Sequence, residues 1–210
     1  MLRILHAQKD YHGDTVLDVP LLELERGIYW LKGANGSGKT TLLRMIAGMS
    51  SFKGDIFCGD ISLQKSPVHY RRQVSWADAE PAYPAWLSGS ELVSFYQKVR
   101  KASPQQIGEL VTFFGMQSAL SRRIGEYSDG MVKRLSLLLA FIGETALILL
   151  DEPLATLDAE AAGGLPDLIL RYRQERGTSF LFTSHQPLTS GELPLDGTLL
   201  ARDRTVQPVI

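Results

Sequence analysis

Residues 28–32 (IYWLK) form a bulky run that is apolar almost throughout and is closed by Gly33. That pattern belongs to a strand covered on both faces, because a strand with one wet face alternates instead. Residues 147–150 (LILL) and 179–183 (SFLFT) repeat it, predicting two more buried strands. Behind the glycine-rich turn that follows the first run, Leu42, Leu43, Met45, Ile46 and Met49 recur at helical spacing and predict a helix over residues 39–49. Residues 2–7 alternate and predict an edge strand, followed by a turn at His12, Gly13 and Asp14; residues 16–24 read as further strand broken at Pro20.

Residues 50–61 predict strand pieces around glycine turns, and residues 73–76 a short strand that ends in a proline-bounded loop. From Ser90 the period becomes helical. Ser90 caps a predicted helix reaching about Lys101, and Ser103 followed by Pro104 starts a second. The stretch of about 80–130 carries no strand signal and predicts a helical subdomain inserted between two parts of an α/β core, residues 1–79 and 131–210. Residues 135–150 are too short to cross a bilayer core of about 30 Å and read as a buried helix followed by a buried strand. Residues 159–176 predict a helix that is kinked at Pro166 or begins near it, since an interior proline costs about 3 kcal/mol. Residues 198–201 carry a further strand signal.

Composition narrows the function classes. The 210 residues are 44% hydrophobic and 21% charged, ordinary globular usage that excludes disorder and fibrous repeats and predicts one domain. A formal charge of −1 gives no global field for nucleic acid, so no nucleic-acid partner is expected. Cys58 is alone and cannot form an internal disulfide or a two-cysteine metal site. The first residues turn polar too soon for a secretory signal, and a cytoplasmic protein is expected.

The strongest chemical signal is Gly33-Ala34-Asn35-Gly36-Ser37-Gly38-Lys39-Thr40, followed by Thr41, between a predicted buried strand and a helix. This is the phosphate-binding loop pattern in the context it requires. Its glycines turn backbone N–H groups inward around phosphate oxygens at a helix N-terminus; Lys39 is placed for the β- and γ-phosphates and the Thr40 hydroxyl for Mg²⁺. Asp151 and Glu152 end the run LILL at the carboxyl edge of a predicted sheet, where ligands gather. Asp151 is the candidate metal ligand, and Glu152 the candidate group that polarises an attacking water. His185, just past the third buried strand, reads either as a γ-phosphate contact or as an ordinary loop histidine. His6, His12 and His69 have no metal-ligand spacing.

Taken in order, GANGSGKT, Tyr127-Ser128-Asp129-Gly130-Met131, LILLDEP, Thr156-Leu157-Asp158 and the Thr-Ser-His185 segment resemble the ATPase domain of ATP-binding-cassette (ABC) proteins over residues of about 2–187. The resemblance implies an α/β P-loop fold of ABC type: a mixed sheet core with an antiparallel N-terminal portion and an inserted helical subdomain. It implies ATP and Mg²⁺ as cofactors, Glu152 as catalytic base, Lys39 and His185 as catalytic contacts, and Thr40 and Asp151 as metal ligands. Tyr11 matches the aromatic that stacks on adenine, against the alternative of a strand-end tyrosine. Ser128, Asp129 and Gly130 match the signature that meets ATP held by an opposite subunit, and Ser128 also fits a plain helix cap. Asp158 matches the loop that crosses the dimer interface.

The implied protein is the ATP-hydrolysing subunit of a transporter. It would pair with a second ABC subunit, identical or sister, and with membrane-spanning permease subunits that hold it to the inner face of the cell membrane. The alternative is a soluble ABC ATPase acting on the ribosome, on DNA repair intermediates or in cofactor assembly, a group marked by tandem cassettes, long coiled coils or basic tails. The chain departs from the family pattern in two places. The usual glutamine after the strand at 74–76 falls on Ala79, leaving Asp78 or Glu80 to replace it, and the signature carries Asp129 and Met131 where glycine and glutamine are commonest. Tyr83 and Trp86 lie in the loop 79–87, where the family grips its membrane partner; the alternative reading buries Trp86.

Overall fold

The computed structural model describes residues 1–157, 159–184 and 193–209. The chain runs β1 (Leu2–Tyr11), β2 (Asp14–Leu24), β3 (Ile28–Lys32), α1 (Lys39–Ile46), β4 (Lys53–Cys58), β5 (Ile61–Ser62), α2 (Pro67–Gln73) and β6 (Val74–Ala77). It continues through α3 (Gly89–Arg100), α4 (Pro104–Phe113), a 3₁₀ turn at Ile124–Glu126, α5 (Asp129–Ala140), β7 (Leu147–Leu150), α6 (Ala159–Arg176), β8 (Ser179–Thr183), β9 (Gly197–Arg202) and β10 (Thr205–Val209). The fold is α/β with a mixed central sheet.

The central sheet has the order β10-β9-β3-β8-β7-β6, parallel except for the β9–β10 hairpin. Alternate residues of its inner strands serve two cores. Tyr29, Leu31, Leu147, Leu149 and Leu181 pack with α1 and the N-terminal strands, while Ile28, Trp30, Ile148, Leu150, Phe180 and Phe182 pack with the helices on the other face. The continuous apolar runs thus have their physical reason in two covered faces. β3, β7 and β8 fall on the predicted residues.

The N-terminal sheet, β2-β1-β4-β5, is antiparallel and corrects two expectations. The strand expected at the edge, β1, lies between β2 and β4; β2 is the edge, which is why Pro20 sits within it without breaking it. His6 takes a left-handed backbone, φ 49°, at an irregularity in the β1–β4 pairing. Gly54 lies there at φ 90°, where a Cβ would collide with the His6 carbonyl.

Two helix expectations also change. α3 is capped by Ser88 rather than Ser90: the Ser88 hydroxyl accepts from the Glu91 N–H and the Glu91 carboxylate from the Ser88 N–H, a reciprocal pair that satisfies two end donors. α6 spans the predicted Ala159–Arg176 with Pro166 inside it, which excludes only the later start, and α1 ends at Ile46, short of Met49. α2 and β10 carried no sequence expectation. α4 starts at Pro104 behind a Ser103 cap, and Ser128 caps α5.

A buried amide ties the helices to the sheet. Gln106 Nε2 donates to the carbonyls of Phe141 and Gly143 and to the Tyr172 hydroxyl, and its Oε1 accepts from the Gly143 N–H at 3.1 Å. This joins α4, α6 and the turn leading into β7. Gln106→Leu fills the same space but strands the Gly143 N–H, so stability is expected to fall by about 1–3 kcal/mol in urea unfolding; an unchanged midpoint would refute the role of the amide.

Candidate functional site

Four parallel strands deliver the site to one edge of the sheet. β3 ends at the glycine loop, β7 at Asp151, β8 at Thr183 and β6 at Asp78. Gly33 closes β3 at φ 156°, where a Cβ would meet the Ser37 side chain and would lie 2.6 Å from the Ala201 carbonyl of β9. Gly36 and Gly38 take φ 77° and 95°, turns that side chains rarely allow, and Gly38 leads directly into α1. Lys39 is buried, its ammonium donating to the Gly33 and Ala34 carbonyls at 2.8 and 3.0 Å.

Asn35, Gly36, Gly38, Lys39, Thr40 and Thr41 share with Val16, Asp151 and Glu152 a cleft of about 300 Å³. The glycine loop and the acidic pair, 111 residues apart between Thr40 and Asp151, are therefore brought together. Tyr11 is 44% exposed and does not line this cleft; the Lys9 ammonium lies over its ring at 4.6 Å. Ser128 and Asp129 are exposed at the start of α5, and they too are absent from the cleft walls. Asp158 and His185 fall outside the described residues.

Asp151 is 1% exposed. Its Oδ1 accepts from the Thr183 hydroxyl at 2.5 Å, and that same hydroxyl accepts from the Glu152 N–H at 2.9 Å. Its Oδ2 is buried with no hydrogen-bond partner among the described residues. A buried carboxylate oxygen left in this way is costly unless a cation or a donor meets it. Glu152 takes φ 43°, a left-handed backbone uncommon for a residue with a Cβ, which turns the chain away from the sheet immediately after Asp151.

Lys133 of α5 is also 1% exposed. Its ammonium donates to the carbonyls of Asp78 (2.8 Å), Asp151 (2.9 Å) and Ala79 (3.3 Å). Burial pulls its pKa down to about 8, against the opposing fields of Asp151, Asp78 and Glu152. The Asp78 carboxylate is engaged elsewhere, by Arg44 Nη2 of α1 at 3.2 and 3.4 Å, and Glu80 is exposed. Tyr83 packs against the helical core, whereas Trp86 is 72% exposed.

Sequence reasoning missed Thr183 and Lys133 as parts of the site. Thr183 is flagged only by its place at the end of an apolar strand. Lys133 shares a helix face with Ser136, Leu137 and Ala140, all buried, so a lysine there points inward.

The sequence profile described as "ABC transporter" matches residues 21–155, more than half of the chain. The ABC transporter ATP-binding protein YxlF of Bacillus subtilis is 31% identical over 190 residues, covering 88% of this chain and 62% of YxlF. The spermidine/putrescine import ATP-binding protein PotA of Fusobacterium nucleatum is 30% identical over 190 residues, covering 88% of this chain and 50% of PotA. The chain thus spans about half to three-fifths of the length of these relatives. A dimeric ATP-binding cassette in a post-hydrolysis state with ADP and phosphate superposes with a TM-score of 0.86 at 16% identity, covering 99% of this chain and 97% of that one, a likeness of fold.

Thr183→Val keeps the side chain's shape but removes both the hydroxyl that Asp151 needs and the acceptor for the Glu152 N–H. Stability is expected to drop by about 1–3 kcal/mol in urea unfolding. Thr183→Ser should stay near wild type, and equal midpoints for wild type and the valine variant would show that the hydroxyl does not hold Asp151.

Proposed function

Because the chain belongs to the ABC transporter family, we propose that it is the ATP-binding and ATP-hydrolysing subunit of a transporter, acting through separate membrane-spanning subunits. The observation that carries this reading is the cleft where the glycine loop faces a buried acidic residue with one oxygen unpartnered among the described residues. That oxygen, with the Thr40 hydroxyl in the same cleft, suits Mg²⁺, a hard cation that takes one or two protein oxygens and completes its shell with phosphates and water. Thr40 and Asp151 would hold the ion, which would offset the charge of the triphosphate.

The chain's own residues supply the rest. The N–H groups of the glycine loop and the N-terminus of α1 cradle the phosphates, and Lys39 exchanges its bonds to the loop carbonyls for phosphate oxygens. Glu152, turned out of the sheet by its left-handed backbone, takes a proton from the water that attacks the γ-phosphorus, giving ADP and phosphate. His185 is the candidate γ-phosphate contact, and Tyr11, which is not among the walls of the cleft, is the candidate stack for the adenine.

Ser128, Asp129 and Gly130 are not among the walls of the chain's own cleft, and in this reading they act in trans. Two copies, or this chain and a sister, pack head to tail so that each signature meets ATP on the other. Asp158 lies at the crossing, and residues of about 80–130 form the helical subdomain that carries the signature. The exposed Ser128 and Asp129 at the N-terminus of α5 support that reading. The exposed indole of Trp86 supports a membrane partner gripping the loop 79–87, with the chain held to the inner face of the cell membrane. Closure of the dimer on ATP and its opening after hydrolysis drive the partner.

Glu152→Gln is expected to lower kcat by about 10²–10⁴-fold while ATP stays bound and the dimer persists on a sizing column. Normal phosphate release from that variant would remove Glu152 from the role of base. Lys39→Ala should weaken ATP binding by about 10–100-fold in equilibrium titration, the range for losing a charge-assisted contact, and unchanged affinity would count against the loop. Tagged chain recovered from detergent-solubilised host membranes should bring a polytopic membrane protein in stoichiometric amount; recovery with ribosomal, repair or assembly proteins alone would overturn the transport reading.

A further inference from the structure

The loop after β6 lacks the side chain that the family resemblance leads one to expect there. The Ala79 side chain has no polar group, and the Asp78 carboxylate is bound to Arg44 of α1. Neither side chain is among the walls of the cleft. What the loop does offer is its backbone, since the Asp78 and Ala79 carbonyls both accept from Lys133, and Lys133 also holds the Asp151 carbonyl.

We propose, on the ATP-hydrolysing reading of the cleft, that Lys133 is a positioning residue that locks the loop 78–79 and the Asp151 backbone to α5, so that the signature helix and the metal-binding carboxylate move as one body. Three features carry this. An ammonium has three N–H donors, and here three carbonyls from two strand ends accept them, a match that neither a carboxamide nor a guanidinium reproduces. The cation is 1% exposed, a costly place for a charge whose service is only to bridge main chain, so a rigid link is the return for that cost. And Lys133 stands five residues after Ser128, the cap of α5 and the residue proposed to meet the opposite ATP, while Asp151 Oδ2 lies on the same residue whose carbonyl Lys133 grips.

Lys133 touches no residue of the glycine loop in the hydrogen bonds of the described residues, so its loss should act on the chemical step and not on nucleotide capture. The test compares full-length wild type with Lys133→Met, which keeps the aliphatic stem without donors, and with Lys133→Gln, which keeps two N–H groups on a shorter arm. For Lys133→Met, kcat is expected to fall about 10–100-fold with the KM for ATP within about twofold, and Lys133→Gln should recover part of the loss. Hydrogen exchange of the Asp151 and Glu152 amides, read on a peptide spanning 147–153, should quicken about tenfold while a peptide spanning 28–38 is unchanged.

Wild-type kcat in a folded Lys133→Met variant, or a loss carried by KM instead, would overturn the proposal. If Lys133→Met fails to fold, the same criteria apply to Lys133→Gln. Absence of ATP turnover in the wild type would count against the proposed function; the exchange measurement would then decide the role of Lys133 alone, and equal exchange over 147–153 would refute it.

Discussion

The hydrogen bond from Thr183 to Asp151 is the constraint on which the site depends, because it ties the end of β8 to the end of β7. A carboxylate buried to 1% exposure is stable only where its oxygens are met, and here one oxygen is met by the end of a neighbouring strand while the other is left for the cleft. That arrangement requires β8 to lie directly beside β7 in parallel register, with Leu150 opposite Phe182. β3 lies on the other side of β8, and the glycine loop at its end shares a cleft with the acidic pair. The order of the inner strands is thus the order in which the site must be assembled.

Two covered faces make such a sheet possible. Strands of four and five residues have few ladder bonds to hold them, and they persist because every side chain of β7 and β8 is buried between α1 with the N-terminal sheet and the helices opposite. Rigid strand ends then present polar groups at fixed height. Lys133 and Arg44 reach the same loop from two helices, one through its backbone and one through Asp78, which leaves that loop tied down from both sides.

Legibility in the sequence followed the strength of local chemistry. Runs apolar on both faces marked β3, β7 and β8 to the residue, and the glycine loop marked its own place between strand and helix. Edge and interior positions were not legible, because whether β1 is flanked once or twice is decided by β4, fifty residues later, and alternation looks the same in either case. Pro20 misled for the same reason: it breaks an inner strand and is harmless on an outer one. Short α2 escaped, although Ser66 before Pro67 is a start signal. At the site, residue types with a motif were found and those without one were not. A lysine on a helix reads as a solvated group unless its spacing from Ser136, Leu137 and Ala140 is weighed, and a threonine ending a strand reads as a β-former.

The three tryptophans occupy unlike surroundings, and two of them sit where the protein is proposed to act. Trp30 is 9% exposed, stacks on Phe182 with ring centroids 6.3 Å apart and donates its indole N–H to the Ser184 carbonyl, at the strand end that also holds Thr183. Trp86 stands 72% exposed in the loop that follows β6. Trp30 should therefore emit to the blue, shielded from quenchers, and Trp86 to the red, open to them, over a contribution from the partly buried Trp76 of β6. The molecule carries two optical reporters of its own, one reading the edge of the sheet and the other reading whatever comes to rest against the loop, without any label being added.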